Sequence, residues 1–314
     1  MKTLDQMILE IRTALVTNAP VDWGTLKQEI TEHTDKDLLQ YYLKGKGKNP
    51  HLEGGDRKVL RVGGADFAMR WIPAGTFWMG AGDDDKEAYD DEKPQHEVTL
   101  TQGYWMGEMP VTQGQYQTIT SQNPSLFHKA GLDAPVEQVN WYDAAAFANK
   151  LSALEGLSPC FVGSGEEMDG VGNKGSDYIG CKGWRLPTEA EWEYACRAGT
   201  ATPCYGSLKK IAWYEENSGG TTHAVGQKKA NAWGLYDTLG NVWEWCYGWY
   251  DDYSAQAATD PVAAATGAGR VLRGGGWGND ANFMRAVQRY YDSLTYRNYD
   301  LGFRLVRSSF ENSR

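Results

Sequence analysis

From Trp277 to Arg304 the chain carries two interleaved sets of residues, and any fold that houses this segment must satisfy both. One set is Trp277, Ala281, Arg285, Ala286, Arg289, Arg297, Gly302, Phe303 and Arg304. These types hold structure through indole packing, tight turns and guanidinium hydrogen bonds. Between them lie Gly278, Asn279, Asp280, Asn282, Phe283, Gln288, Tyr290, Tyr291, Asp292, Ser293, Thr295, Tyr296, Asn298, Tyr299 and Asp300. These 15 residues have no hydrophobic period and no recognisable catalytic order, and ten of them are Asn, Asp or Tyr. Tyrosine supplies rigid contact area at low entropic cost, and short polar residues supply adaptable hydrogen bonds. The composition is that of a recognition surface. The bland alternative is a solvated loop, but four tyrosines between 290 and 299 weigh against it, because exposed aromatic clusters mark contact sites.

The chain has 314 residues, enough for one large domain and a smaller one. Its 41 acidic and 31 basic residues give a net charge of −10, which argues against binding nucleic acid or an anionic membrane surface. No apolar run reaches the ~20 residues of a membrane span. Asp5 and Glu10 interrupt the apolar N-terminal stretch, so it fails as a secretory signal. The expectation is a cytoplasmic protein, or one displayed on a surface or virion by another route. Five cysteines (Cys160, Cys181, Cys196, Cys204, Cys246) have no CxxC spacing. A Cys160–Cys181 disulfide across a Gly-rich insertion is one reading; free thiols in a reducing compartment are the reading favoured by the missing signal. Thirteen Trp and 37 Gly with few long apolar runs predict a loop-rich fold anchored by aromatic side chains.

Leu4, Met7, Ile8, Ile11 and Leu15 fall at helical spacing over 3–16, and a second apolar series runs from Trp23 to Tyr42. Residues 1–45 therefore read as a small helical region suited to packing, oligomerisation or partner contact. Residues 46–58, rich in Gly and Lys, read as a linker. From about 59 to 310 short strands alternate with Gly turns, with strands expected at Phe67–Ile72, Thr76–Met79, His96–Leu100 and Gly103–Met106. Helices are expected at Trp141–Leu154 and Thr188–Ala198, the second opened by the capping box Thr188/Glu191. Glu189, Glu191 and Glu193 are expected to cap and solvate that helix start rather than to catalyse, and the acidic run Asp83–Asp91 to form a solvated loop. Arg285, Arg289 and Arg297 are expected to pair with buried carboxylates or carbonyls. Trp243, Trp245 and Trp249 are expected to be core anchors. The stretch 160–183 reads as a long insertion loop.

Eight motifs in order carry a family resemblance: WIPAGTFWMG at 71–80, PQHEVTL at 94–100, MPVTQGQY at 109–116, PVEQVNWYDAAAFANKL at 135–151, WRLPTEAEWEYACRAG at 184–199, NAWGLYDTLGNVWEW at 231–245, RVLRGGGW at 270–277 and LGFRLV at 301–306. Residues 60–307 thereby resemble the formylglycine-generating enzyme (sulfatase-modifying factor) family. The resemblance implies an α+β, C-type-lectin-like fold, loop-rich, with two helices and short antiparallel strands. The oxidative members use two cysteines at positions that correspond here to Asn279 and Met284, and no cysteine follows Cys246. Copper–thiolate chemistry needs sulfur ligands, so that activity is not expected. A branch that joins sulfur to carbon with non-haem iron is also not expected, because the five histidines (His33, His51, His96, His128, His223) lack metal-ligand spacing.

The segment from about 270 to 306 is more similar to a third branch, the variable proteins of diversity-generating retroelements. It departs at Gly276, where serine is usual, and at Leu294, where proline is common. Such elements mutate template adenines, so an AAC codon becomes NNC; 14 of the 15 interstitial residues lie within that reachable set, and Gln288 does not. The resemblance implies a non-enzymatic receptor- or adhesion-like protein whose 15 interstitial residues bind a protein ligand. It requires no cofactor. A structural calcium is the one metal implied, at Asp237, Gly240, Val242 and Glu244, where carboxylates and carbonyls would suit a hard cation; the alternative is that these acids bond turn amides or an arginine. The competing function is a cysteine-free modifying enzyme or oxidoreductase of the same family.

Overall fold

The computed structural model describes residues 52–308, apart from 84, 166–167, 171–177 and 263–265. The two expected N-terminal helices and residues 46–51 of the expected linker lie outside the described residues, and Arg57 and Lys58 of that linker belong to the first strand. In chain order the strands are β1 (Arg57–Val62), β2 (Ala65–Ile72), β3 (Gly75–Met79), β4 (His96–Leu100), β5 (Tyr104–Gly107), β6 (Phe161–Val162), β7 (Asp169–Gly170), β8 (Trp184–Arg185), β9 (Trp243–Trp249), β10 (Ala258–Thr259), β11 (Arg270–Arg273), β12 (Arg289–Asp292), β13 (Leu301–Gly302) and β14 (Val306–Ser308). The longer helices are α1 (Gln113–Thr120), α2 (Trp141–Leu154) and α3 (Glu189–Arg197). Short strands, long connections and few helices make this a sheet-dominated α+β structure. No described helix is long and apolar enough to cross a membrane.

Alternation sets the strands. In ADFAMRWI, Ala65, Phe67 and Met69 are buried between more exposed neighbours, the period of a half-buried strand. Gly63 and Gly64 connect β1 to β2 with positive φ at both residues, the backbone that a two-residue hairpin turn requires. The largest sheet runs β1-β2-β5-β14-β8, so the last described strand is inserted between β5 and β8, which come from far earlier in the chain. A second sheet, β12-β11-β9-β13, carries the framework segment, and a third runs β10-β4-β3.

Helix α3 lies between two apolar clusters. Ala190 and Tyr194 enter one with Ile72, Val98 and Leu100; Trp192 and Cys196 enter the other with Val271, Met284 and Ala286. Residues four apart share a helix face, and here both faces are covered. Thr188 caps α3 as expected, with Glu191 closing the capping box. The expectation that Glu189, Glu191 and Glu193 are solvated is overturned: Glu191 and Glu193 are buried, and all three are paired with arginines. Helix α2 matches its expected span, with Asn140 as cap.

Helix α1 was not expected. Its sequence, QGQYQTIT, has a weak apolar period, and Gly114 and two threonines are poor helix formers; the Thr112/Gln115 capping box that starts it is the signal that could have found it. The insertion also differs from a plain loop. Its ends are joined by a Cys160–Cys181 disulfide, with Cα atoms 5.8 Å apart, which replaces the free-thiol reading for these two residues. Phe161–Val162 pairs with Asp169–Gly170 inside it.

Candidate recognition face

The arginines of the last segment, Arg297 excepted, are buried. Arg273, on β11, donates to Glu189 at 2.7 Å, to Glu193 at 2.6 Å and to the Ala286 carbonyl at 2.5 Å. Arg289, beside it on β12, grips both oxygens of Glu189 at 2.7 and 2.9 Å and donates to the carbonyls of Asp91 and Asp251. Arg285 is bidentate on Glu92, both bonds 2.7 Å, and Arg304 is bidentate on Glu244, both 2.6 Å. Arg270 bonds Asp169 at 2.8 Å and lies over the rings of Trp141 and Trp249. Arg297 bonds Asp143 of α2 and the Gln138 carbonyl. The guanidiniums thus tie the segment to several parts of the fold through charge-assisted bonds, with Arg273 and Arg289 sharing Glu189.

Burial would raise the Glu189 carboxyl, but Arg289 and Arg273 override it and hold it at about 2. Glu193 is likewise lowered, against its burial, by Arg197 and Arg273. At Glu92 burial wins over Arg285 and the carboxyl is raised. The acidic run is therefore solvated only in part: Asp83 and Asp90 are exposed, while Asp91 accepts the Tyr250 hydroxyl at 2.6 Å.

The residues between the arginines point outward. Tyr290 is 52% exposed, Tyr291 39%, Tyr296 42% and Tyr299 42%. Gly278, Asp280, Asn282, Ser293 and Thr295 are exposed, and Asn279, Phe283, Asp292, Asn298 and Asp300 half-buried. Gln288 is the correction. It is buried, accepts from Arg285 at 3.1 Å and donates to the Arg289 carbonyl at 2.9 Å, so it belongs to the clamp and not to the face.

Two face residues also brace it. Asn279 accepts from the Trp243 indole and the Gly276 amide, both at 2.8 Å, and Asp280 caps the turn at Ala281–Phe283. The loop 293–299 is hung on the start of α2 by Trp141 N–H to Leu294 and Gln138 N–H to Asn298.

Residues outside the expected set border the face. Trp243, expected only as a core anchor, places its ring 5.8 Å from Tyr290 and 6.3 Å from Phe283. Phe127 meets Trp277 at 5.4 Å and Tyr299 at 6.2 Å. Its loop is pinned by Glu137, which accepts the amides of Leu126 and Phe127. Nothing in the local sequence of 124–128 signals this contact, since it spans more than 140 positions.

With this geometry in view, the comparisons with known proteins are specific. Residues 66–309 match the sulfatase-modifying factor enzyme 1-like domain. The chain belongs to that family. A solved structure, Treponema denticola variable protein 1, is 37% identical with a TM-score of 0.71, covering 81% of this chain and 99% of that one. The chaperone protein LppX of Paenibacillus barcinonensis is 32% identical over 73% of this chain and 87% of its own length. The formylglycine-generating enzyme of Streptomyces coelicolor is 33% identical over 44% of this chain and 51% of its own. Other relatives are longer, and the chain spans 38% of the length of two Chlamydia proteins.

In this member of the sulfatase-modifying factor enzyme 1-like family, Asn279 braces a turn and Met284 is fully buried in the apolar cluster. The three free thiols are all shifted up by burial, Cys196 to about 12, away from the thiolate that reacts or binds metal. Of the two acids expected to serve calcium, Glu244 is engaged by other side chains. Both oxygens of Glu244 are held by Arg304, and one also by the Trp192 indole. Asp237 accepts the Gly226 amide at 2.7 Å and leaves its other oxygen without a partner. Its carboxyl is pushed up to about 6, chiefly by burial. Among the described residues no group of three or more His, Cys, Asp or Glu is arranged to hold a metal. As placed, Glu244 is held by Arg304 while Asp237 keeps one buried oxygen without a partner.

Proposed function

We propose that the protein is a non-enzymatic ligand-binding protein, a variable protein of a diversity-generating retroelement, on a C-type-lectin-like scaffold. Its binding face is made of the outward residues between Gly278 and Asp300, and its ligand is a protein. The observation that carries this reading is the division within one segment: Arg285, Arg289 and Gln288 are buried while Tyr290, Tyr291, Tyr296 and Tyr299 are exposed. Side chains on such a face can be exchanged at small cost, because surface changes away from special features stay within about ±0.5 kcal/mol.

The enzymatic alternative draws on the family name. A cleft of about 310 Å³ lined by His96, Glu189, Tyr253 and Arg289 is its best site. Two of its titratable groups are already engaged: Glu189 by two arginines and Tyr253, and His96 by the Pro94 carbonyl. Catalysis needs convergent groups free to meet a substrate, which favours the binding reading.

The test is selection of protein binders from a display library, followed by Ala substitution of Tyr290, Tyr296 and Tyr299 together. Loss of binding with an unchanged melting temperature is the expected result. Stoichiometric copper or iron in the purified protein, or unfolding of the triple variant, would reverse the conclusion.

A further inference from the structure

Tyr296 and Tyr299 are equally exposed, at 42% each, yet they are supported differently. The Tyr299 ring lies 5.5 Å from Trp277 and 6.2 Å from Phe127, and those two rings meet edge to face at 5.4 Å. Tyr296 has no ring neighbour among the described residues. Tyr290 and Tyr291 form a second group. Their rings are 6.1 Å apart, Tyr291 is 4.3 Å from Tyr250, and Tyr290 is 5.8 Å from the buried Trp243. Among the described residues no ring contact joins this group to Phe127, Trp277 and Tyr299.

Two of the supporting rings are held by bonds in which no interstitial residue takes part. The Phe127 amide donates to the buried Glu137 at 2.8 Å, and the Phe127 carbonyl accepts from Gln113 at 3.2 Å. The Leu126 amide takes the other oxygen of the same carboxylate at 3.0 Å. Tyr250 donates its hydroxyl to Asp91 at 2.6 Å, and the Arg289 guanidinium lies 4.6 Å from the centre of its ring. Trp243 differs, because its indole donates to Asn279 of the face itself. Phe127 and Tyr250 therefore keep their tethers whatever residues occupy the interstitial positions.

We propose that Phe127 and Tyr250 are positioning residues of the recognition face. Phe127, with Trp277, seats Tyr299; Tyr250 seats Tyr291; the face thus offers two separately supported aromatic anchors, with Tyr296 as an adaptable contact. A free side chain loses rotamer freedom when a ligand immobilises it, whereas one packed on a fixed ring has lost that freedom beforehand. Aromatic pairs at these separations attract one another beyond simple burial. This rests on the recognition reading above and adds which tyrosines are set before a protein ligand arrives.

The full chain with isotopically labelled tyrosine tests the seats without a ligand. A single χ1 rotamer is expected at Tyr291 and Tyr299, and rotamer averaging at Tyr296. Phe127→Leu keeps apolar bulk and should release Tyr299 alone; Tyr250→Leu should release Tyr291 alone. Tyr250→Phe keeps the ring and should leave Tyr291 seated. Averaging at either anchor in the wild type, a fixed Tyr296, or a substitution that loosens both anchors together overturns the proposal. Protein binders from the display library are then sorted by loss on Tyr299→Ala or on Tyr291→Ala. Phe127→Leu is expected to weaken the first class about tenfold and leave the second unchanged, and Tyr250→Leu to do the reverse. Tyrosine-dependent binders indifferent to both substitutions sink only this inference. Binders that ignore every exposed tyrosine sink the recognition reading, while the rotamer measurements still judge the seats.

Discussion

Arg289 and Tyr290 are neighbours in the chain, yet they belong to two regions under opposite physical rules. The inner side of the segment is a lattice of guanidinium–carboxylate clamps on Glu92, Glu189, Glu193 and Glu244. The outer side is a set of aromatic and short polar side chains, several of which make no contact that the fold needs. A buried ion pair cannot lose one partner without stranding a charge, whereas an exposed tyrosine can be removed without stranding anything. The contrast explains how one stretch of chain can be rigid in path and free in composition.

The largest effect should come from breaking the inner side. Arg273→Met leaves Glu189 and Glu193 short of a shared partner inside α3's contacts, and a loss of about 3–5 kcal/mol is expected in urea unfolding. A change below ~1 kcal/mol would show that the clamps are dispensable.

Acid should attack the same region. The Glu189 carboxyl stands at about 2 in the fold against an ordinary 4.5. Its folded value is depressed, so its contribution is complete above 4.5 and disappears as pH falls toward 2. The order of magnitude is ~3 kcal/mol, read from unfolding curves through that window in wild type and Glu189→Gln.

Asp237 gives the opposite sign. Its folded value of about 6 lies above the ordinary 3.8, so stability is greatest below 3.8 and is lost as pH rises through 6. Asp237→Asn keeps an acceptor for the Gly226 amide, and Asn tolerates the positive φ of this position. It should stabilise by up to ~3 kcal/mol at pH 8 and by almost nothing at pH 4. The measurement in calcium and in EDTA sharpens the comparison: equal melting in both is expected, and a calcium-dependent loss in the variant would restore the metal reading.

The smallest effect is expected on the outer side, where Tyr296→Ala or Tyr299→Ala should move stability by less than about 0.5 kcal/mol. A drop of several kcal/mol in either would erase the distinction between the two regions.

Much of this was legible before any coordinates. The strand at His96–Leu100 and the helices at Trp141–Leu154 and Thr188–Ala198 were expected, the last from its Thr188/Glu191 capping box, because capping and periodicity are local. The framework arginines could be named as clamps from their type and placement alone. Their partners could not: Glu92 is 193 positions from Arg285 and Glu244 is 60 from Arg304, and a carboxylate near a helix start looks the same in sequence whether it is solvated or locked to an arginine. Glu191 and Glu193 were misread for that reason.

Chain order alone therefore pointed to the family and placed the main helices and strands, because those follow from near neighbours and from motif spacing. Folding decided the rest. It moved Gln288 inward, brought Trp243 and Phe127 to the rim, and joined Cys160 to Cys181. Burial and charge pairing are set by whatever distant chain arrives beside a residue, and that is a property of the packed molecule.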